Sequence, residues 1–357
     1  MLEFVTENRS VWDRLKQETR PILLYGMGNG ADKILDVFSE REITCTGVFA
    51  SDGFVRGQTF RGYQVISYQE AKRRYGCFVI VLAFAVFRPD MLDRIEALSK
   101  EHTLYAPDVP VYGSELFTLD YLDKYEKEIQ SVYQLLADNV SKRVFAHVVN
   151  YKISGIPGWL RRIETDPADD CRQIFSPKPG EQYLDLGAYN GDSIRDFVSL
   201  APDYERIIAL EPDAKNFQKL SLWAEAAKLR NYAAYNMASW SHPCMLPFQK
   251  RGGRCSALDR TGAAAVKADS IDHLLNHSPV TWIKMDVEGA ETETLLGGAE
   301  TLRCQAPKLC IAAYHRSGDF FRLPLLVKKL NPNYRLYLRH HPYIPAWGTN
   351  LYCMVPK

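Results

Sequence analysis

The sequence predicts an α/β chain with a large seven-strand unit at its carboxyl end, a smaller doubly wound unit at its amino end and a helical connector between them. Three observations predict it. Apolar runs alternate with amphipathic stretches over residues 21–105, helical periodicity takes over in 107–178, and a second alternation fills 179–357. Domain boundaries of 1–106, 107–178 and 179–357 follow. The 357 residues also exceed two domains of ~150 residues each.

The first unit reads in order as strand PILLYG, helix ADKILDVFSE, strand TCTGVFAS, helix SYQEAKRRYG, strand CFVIVLAFAV and helix RPDMLDRIEALSKEH. Within ILLYGMGNGADKILDVF, Gly26, Gly28 and Ala31 spell G-x-G-x-x-A between strand and helix, and Asp52 lies 21 residues after Ala31. That is the fingerprint of a Rossmann-like domain whose helix amino end holds a dinucleotide or sugar nucleotide. The same glycine turn also packs such a helix tightly. Only three clear strands precede the connector and no Tyr-x-x-x-Lys spacing follows, so a full dehydrogenase is not expected.

The connector contains LDYLDKYEKEIQSVYQLLADNVSKRVFAHVVNYK, in which Leu122, Ile129, Val132, Leu135 and Leu136 would share one helical face. Lys142 and Arg143 read as part of a solvated face, and SPKPGE closes the segment. Seven strand candidates follow: QYLDLG, RIIALEP, NYAAYNMA, TWIKMD, KLCIAAYH, YRLYLRHH and NLYCMVPK. Helices separate the early ones and the last two stand close together, as in a sheet whose final strand returns antiparallel beside its neighbour.

Composition narrows the functional classes. Hydrophobic residues are 46% and charged residues 24%, which excludes a largely disordered or disulfide-scaffold chain. The formal charge of +1 gives no field for a polyanion, so nucleic acid is not an expected partner. The longest apolar run, Cys77 to Phe87, falls short of the ~20 residues a membrane span needs and reads as a buried strand. MLEFVTENRS places acids where a secretory signal carries bases, so a cytoplasmic protein is expected. Cys45, Cys77, Cys171, Cys244, Cys255, Cys304, Cys310 and Cys353 form no C-x-x-C pair and read as reduced, mostly core thiols. Oligomeric state is left open, a homo-oligomer included.

The most informative segment is YLDLGAYNGDS, residues 183–193, followed by RIIALEPD, residues 206–213. A strand runs into Asp185, turns through Gly187 and Gly191, and enters a helix that Asp192 or Ser193 could cap. Glu211 stands 20 residues after Gly191 at the end of the next strand, where a carboxylate accepts ribose hydroxyls. A pyrophosphate turn offers uncharged N–H donors, whereas D-x-G-x-x-x-G places an acid beside the turn. Such an acid repels phosphate and favours a cation. S-adenosylmethionine, with sulfonium, ammonium and ribose, is therefore the expected cofactor.

A second segment, VTWIKMDVEGAETETLLGGAETL, puts Lys284, Asp286 and Glu288 at alternate positions, on one face if the strand stays extended. Ionisable groups on a central strand are costly without pairing or a ligand, and ligands of open α/β sheets bind at the strands' carboxyl ends. With YLDLGAYNGDS, IIALEPD, YNMAS, KADSIDHLL, WIKMDVEGAE, LLGGAETL and APKLCIAAYH in this order, residues 180–353 resemble the FkbM family of S-adenosylmethionine-dependent methyltransferases. The resemblance implies a class I methyltransferase fold and methyl transfer to a hydroxyl oxygen, commonly on sugars or secondary metabolites. It places the cofactor on Asp185, Gly187, Tyr189, Gly191 and Glu211, with Asn236 near the adenine, and puts Asp286, Glu288 and His315 on the acceptor side. By spacing alone Asn236 is equally a turn residue.

Removal of the acceptor's proton points to a base. His315, at a strand's carboxyl end, is the preferred one and Asp286 its competitor. A divalent metal between Asp286, Glu288 and His315 is a further expectation on the same residues, against which Lys284 argues for simple ion pairing. Arg339, His340, His341, Tyr343 and Trp347 suit stacking on a sugar or a planar metabolite, or else the packing of an edge hairpin. The small-molecule acceptor itself is not legible. Two rival readings are a nucleotide-sugar or dinucleotide-binding protein whose chemistry lies in the first domain, and a non-catalytic scaffold with a vestigial pocket.

Overall fold

The computed structural model describes residues 2–249, 257–258 and 264–356. In the first domain β1 (Ile22–Tyr25), β2 (Gly47–Ala50), β3 (Thr59–Phe60), β4 (Tyr63–Ser67), β5 (Val79–Leu82) and β6 (Thr103–Tyr105) form one sheet in the order β3-β4-β2-β1-β5-β6. All neighbours pair in parallel except β3, which lies antiparallel on β4 at the edge. The expectation of three strands is corrected to six. The expected three, β1, β2 and β5, are buried along their whole length and so read as unbroken apolar text. The missed ones are short or half-exposed, and β4 runs directly into the helix Tyr68–Tyr75, whose cap is the last residue of the strand, Ser67.

The connector is broken where one long helix would have been drawn. Helices cover Leu119–Lys124, Glu126–Leu135 and Asn139–Ser154. The Asp138 side chain accepts the Ser141 N–H at 2.7 Å and starts the last of them. Leu136 leaves the helix in an extended conformation that bridges to Leu336, and Leu135 is 37% exposed, so the expected five-residue apolar face loses Leu135. Lys142 is half-buried over the Tyr133 ring and Arg143 is exposed. The Asn139–Ser154 helix is buried on nearly every side because Val144, Phe145 and Val148 join one apolar core with Leu23 and Ile80 of the first sheet and Leu336 and Leu338 near the chain's end. Each such side chain stabilises by about 1.5–3 kcal/mol, so the connector couples the two domains mechanically.

The second domain contributes β7 (Gln182–Leu186), β8 (Arg206–Leu210), β9 (Tyr232–Tyr235), β10 (Ala238–Ser239), β11 (Cys244–Gln249), β12 (Ala257–Leu258), β13 (Ala264–Asp269), β14 (Trp282–Met285), β15 (Lys308–Ala312), β16 (Arg335–His340) and β17 (Thr349–Met354). Seven of them form a sheet in the order β16-β17-β15-β14-β7-β8-β9, with β17 antiparallel to both β15 and β16. These are the seven segments expected from the sequence. A separate four-stranded sheet, β10-β13-β11-β12, was not anticipated; β10 and β12 are two residues long, and β11 and β13 are six residues each.

The core reading of the cysteines holds for Cys45, Cys171 and Cys353; Cys244 and Cys310 are partly buried, and Cys77 and Cys304 are exposed. Cys255 lies outside the described residues. Among the described residues no helix is long and apolar enough to cross a membrane.

Candidate active site

The chain leaves β7 through a turn that only glycine can make at two points. Gly187 has φ +84° and a Cβ there would stand 1.9 Å from the Asp286 carbonyl oxygen. At Gly191, φ +87°, a Cβ would meet the Trp223 ring at 2.5 Å. Tyr189 between them also has a positive φ, 48°, a conformation that costs energy in a residue with a side chain. The strained turn aims the Tyr189 N–H at one oxygen of Glu211, 2.8 Å away, while the Asp213 N–H donates to the other at 2.8 Å. Glu211, 6% exposed at the end of β8, is thus held rigidly, and burial pushes its pKa up to about 7 against the pull of those donors. The Asn236 side-chain amide donates to the carbonyl oxygens of Glu211 (2.8 Å) and Pro212 (3.1 Å), so this exposed residue braces the turn behind Glu211. The helix after Gly191, Asp192–Leu200, has Gly191 as its N-cap residue and so no side-chain bond from that position, while Asp192 accepts the Ser193 N–H at 2.9 Å. The Ser193 hydroxyl donates to Asp185 at 2.6 Å.

Asp185 is fully buried beneath the turn. Its other oxygen lies 3.4 Å from Lys284 Nζ on the neighbouring strand β14, which donates to the Gly187 carbonyl at 3.0 Å and lies 4.0 Å from Asp286. Burial raises the Asp185 pKa while Lys284 and Ser193 oppose it. Asp185 therefore reaches a ligand only through Lys284 and the turn it anchors.

Strand β14 ends at Met285, and Glu288 has φ 54°, so the alternation of Lys284, Asp286 and Glu288 does not continue as an extended strand. A turn brings Asp286 and Glu288 to His315, which follows β15, while Lys284 lies 4.0 Å from Asp286. The imidazole is 1% exposed, with Nδ1 2.8 Å from Glu291 and Nε2 3.3 Å from Asp286 and 3.7 Å from Glu288. Burial disfavours its charge, but Glu291, Asp286 and Glu288 outweigh that and raise its pKa well above the ordinary value. The expectation of His315 as a base thus meets a ring that faces carboxylates through both nitrogens and retains its protons near neutrality. Burial likewise resists ionisation of Asp286, yet Lys284 and His315 hold it well below the carboxylate range. Burial, with Asp286 and Glu291 nearby, pushes Glu288 up to about 7. Glu291 also accepts the N–H groups of Val287 (3.1 Å) and Gly289 (3.4 Å), and the Tyr314 hydroxyl donates to Asp286 at 3.2 Å. Sequence reasoning missed Glu291 and Tyr314. The WIKMDVEGAE phrase contained the first, and the second adjoins His315.

The surrounding cavity encloses about 1240 Å³. Gly187, Tyr189 and Glu211 line it on one side and Lys284, Asp286, Glu288 and His315 on another. The first domain reaches it through Asn29, Gly30 and Lys33 at the start of the helix Asn29–Glu40. In the G-x-G-x-x-A segment, Gly26 and Gly28 have φ of 111° and 114° and Ala31 is buried in the core, while Asp52 is exposed in a short turn after β2. Phe84 packs on Gly26, where a Cβ would come within 2.4 Å of its ring. Of the late aromatic and basic residues, Arg339 and His340 are withdrawn from any acceptor role. Arg339 is buried in ion pairs with Asp138 (2.7 Å) and Asp170 (3.0 Å), and burial pushes His340 down to about 3. His341, Tyr343 and Trp347 do line the cavity.

Among the described residues no group of three or more His, Cys, Asp and Glu side chains is arranged to hold a metal ion. Asp286, Glu288 and His315 do meet, but both imidazole nitrogens are already engaged by carboxylates, Nδ1 by Glu291 and Nε2 by Asp286 and Glu288, and the set is not arranged as a metal site. A nucleoside fits better. Each Glu211 oxygen accepts a single backbone N–H and keeps capacity for a hydroxyl, and carboxylates outnumber cations around the crevice.

The model of the methyltransferase FkbM domain matches residues 185–345. The structure of a methyltransferase FkbM from Methylobacillus flagellatus KT superposes with a TM-score of 0.72 at 20% identity, covering 96% of this chain and 92% of that one. That likeness shows the fold, and it extends over both domains. An rRNA methylase from Streptococcus thermophilus (TM-score 0.35, 12% identity) covers 53% of this chain and 94% of its own. A precorrin-6y C5,15-methyltransferase from Geobacter metallireducens GS-15 (TM-score 0.35, 10% identity) covers 53% and 87%. No curated protein sequence matches the chain.

Proposed function

We propose, from the match of residues 185–345 to the FkbM methyltransferase domain, that the chain transfers a methyl group from S-adenosylmethionine to a hydroxyl oxygen of a sugar or small metabolite. The observation that carries this reading is Glu211, a buried carboxylate at the end of β8 pinned by the N–H groups of Tyr189 and Asp213 with both oxygens left able to accept ribose hydroxyls. Gly187, Tyr189 and Gly191 shape the turn beside it. Asp185 acts by fixing Lys284 and Ser193. Asn236 acts by bracing Glu211.

S-adenosylmethionine supplies an electrophilic methyl group on a sulfonium. The protein's part is to align the acceptor oxygen, exclude water and take up the proton released. Glu288 is the base this reading favours, because it faces the cavity and its pKa of about 7 matches a task near neutrality. Asp286, held ionised by Lys284 and His315, accepts a hydrogen bond from a neighbouring hydroxyl of the acceptor and so orients it. His315, protonated and clamped by Glu291, keeps both carboxylates in place. General-base help of this kind is worth about 10²–10⁴ in rate, roughly 3–5 kcal/mol.

The test is calorimetric. S-adenosylmethionine, S-adenosylhomocysteine and NAD are titrated separately into the wild type and Glu211→Ala. The first two should bind the wild type and lose at least about tenfold in affinity in the variant. Binding of NAD in their place would overturn the reading and favour chemistry at Gly26, Gly28, Ala31 and Asp52 of the first domain.

A further inference from the structure

The parallel strands at the centre of both sheets turn their carboxyl ends toward the same cavity. In the second domain the strand order reverses between β14 and β7, where Asp286 and Gly187 line the wall, and in the first it reverses between β1 and β5, where Asn29, Gly30 and Ala85 do so. Such reversal points are where open α/β sheets bind ligands. One of the two crevices is assigned to S-adenosylmethionine by the reading above, on which the present inference rests. The other faces it across the space left for an acceptor.

One tie joins the two domains directly and a second joins the first domain to the connector. Val86 and Ile344 exchange backbone hydrogen bonds of 2.7 and 2.8 Å, and Lys33 donates to the carbonyls of Pro110 (2.6 Å) and Val111 (2.7 Å). The first tie brings Phe87 of the first domain over Tyr343 of the second, stacked with centroids 5.4 Å apart at 18°, and Trp347 follows at 6.3 Å and 38°. Phe87 is 51% exposed, so the stack forms an open rim, while Tyr343 and Trp347 line the cavity within. The Trp347 Nε1–H is buried and has no hydrogen-bond partner among the described residues. A buried donor of this kind is costly unless something accepts from it. Tyr314, bonded to Asp286, lines the same cavity, so the wall that carries the aromatic residues also carries the carboxylates proposed to handle the reacting hydroxyl.

We propose that Phe87, Tyr343 and Trp347 form the acceptor subsite, built jointly by the two domains, and that it takes a neutral hydroxylated ring of pyranose type. The apolar face of the ring stacks on the aromatic side chains. A ring or hydroxyl oxygen accepts from Trp347 Nε1–H. The carboxylates of Asp286 and Glu288 disfavour an anionic group at the reacting end and accept from hydroxyls. The first domain then serves methyl transfer by completing this subsite with Phe87.

Saturation-transfer NMR on the full chain loaded with S-adenosylhomocysteine tests this, with the methyl glycosides of glucose, galactose, mannose and rhamnose as probes and tetrahydropyran and phenol as controls. At least one glycoside should show transfer to its ring protons. Trp347→Phe, which keeps a ring and removes the donor, should weaken that glycoside by about threefold to tenfold, and Phe87→Ala by a similar factor. S-adenosylhomocysteine affinity, read by calorimetry, should stay within about twofold in both variants, which also certifies their fold. Three results would overturn the subsite: no transfer to any glycoside, equal affinity in wild type and both variants, or controls that bind as well as the glycosides. Absence of heat with S-adenosylhomocysteine counts against the methyl-transfer reading instead, and the same NMR titration without it still decides the subsite.

Discussion

Lowering the pH from 8 to 6 should weaken nucleoside binding about tenfold, and Glu211 is the reason. Its carboxyl ordinarily titrates near 4.5 but is raised to about 7 by burial in the folded protein. Only the ionised form offers both oxygens to ribose hydroxyls, so binding selects it and expels the proton. With a pKa of about 7 the ionised fraction is about one in eleven at pH 6 and about ten in eleven at pH 8, a ratio of about ten, or about 1.4 kcal/mol. The linkage to stability has the opposite sense from a salt-bridged acid. The folded pKa lies above the unfolded one, so the unliganded protein loses stability as pH rises through the window from 4.5 to about 7, by about 3 kcal/mol when complete. Adenosine is the best probe, since it has the ribose but neither the sulfonium nor the ammonium. Titrations at pH 6, 7 and 8 in buffers of different protonation enthalpy should show proton release approaching one per adenosine at pH 6. Glu211→Gln, which cannot ionise, should bind more weakly and lose the pH dependence. A flat affinity in the wild type, or the same slope in the variant, would refute the assignment.

Glu288→Gln should lower kcat by about 10²–10⁴ and remove the rise in rate through pH 7 that a base raised to about 7 imposes, as a pH–rate profile would register. Gly187→Ala must place a methyl 1.9 Å from a backbone oxygen at a φ of +84°. A loss of more than about 3 kcal/mol in denaturant unfolding is expected, and a loss below about 1 kcal/mol would show that the turn relaxes. Exhaustive chelation should leave the methyl-transfer rate unchanged, because both His315 nitrogens are already engaged by carboxylates; loss of activity restored by one divalent ion would reverse that conclusion.

Much of the fold was legible because buried parallel strands write themselves as continuous apolar text. The parallel strands β7, β8, β14 and β15 of the second sheet were found this way, as were β1, β2 and β5 of the first. Edge strands such as Thr59–Phe60 and Thr103–Tyr105 carry no such signal, since one side faces solvent or a single neighbour. The break after Leu135 was hidden for a related reason: the residues on either side favour helix, and only the pairing of Leu136 with Leu336 makes an extended residue preferable there.

The site divides along the same line. Spacing alone marked Gly187, Gly191 and Glu211, because a tight turn and a strand-end carboxylate are local features, written within a few tens of residues. Protonation states are not local. His315 looked like a base until Glu291, Asp286 and Glu288 closed around it, and Asp185 looked like a ligand until Lys284 and Ser193 enclosed it. The pKa of a buried group depends on the sum of charges within a few ångströms, and those charges come from different strands. The chain's text thus marks the long buried strands, the turn chemistry and a resemblance to one family. Which groups carry protons, and the meeting of Phe87 with Tyr343 across two domains, follow from long-range packing alone.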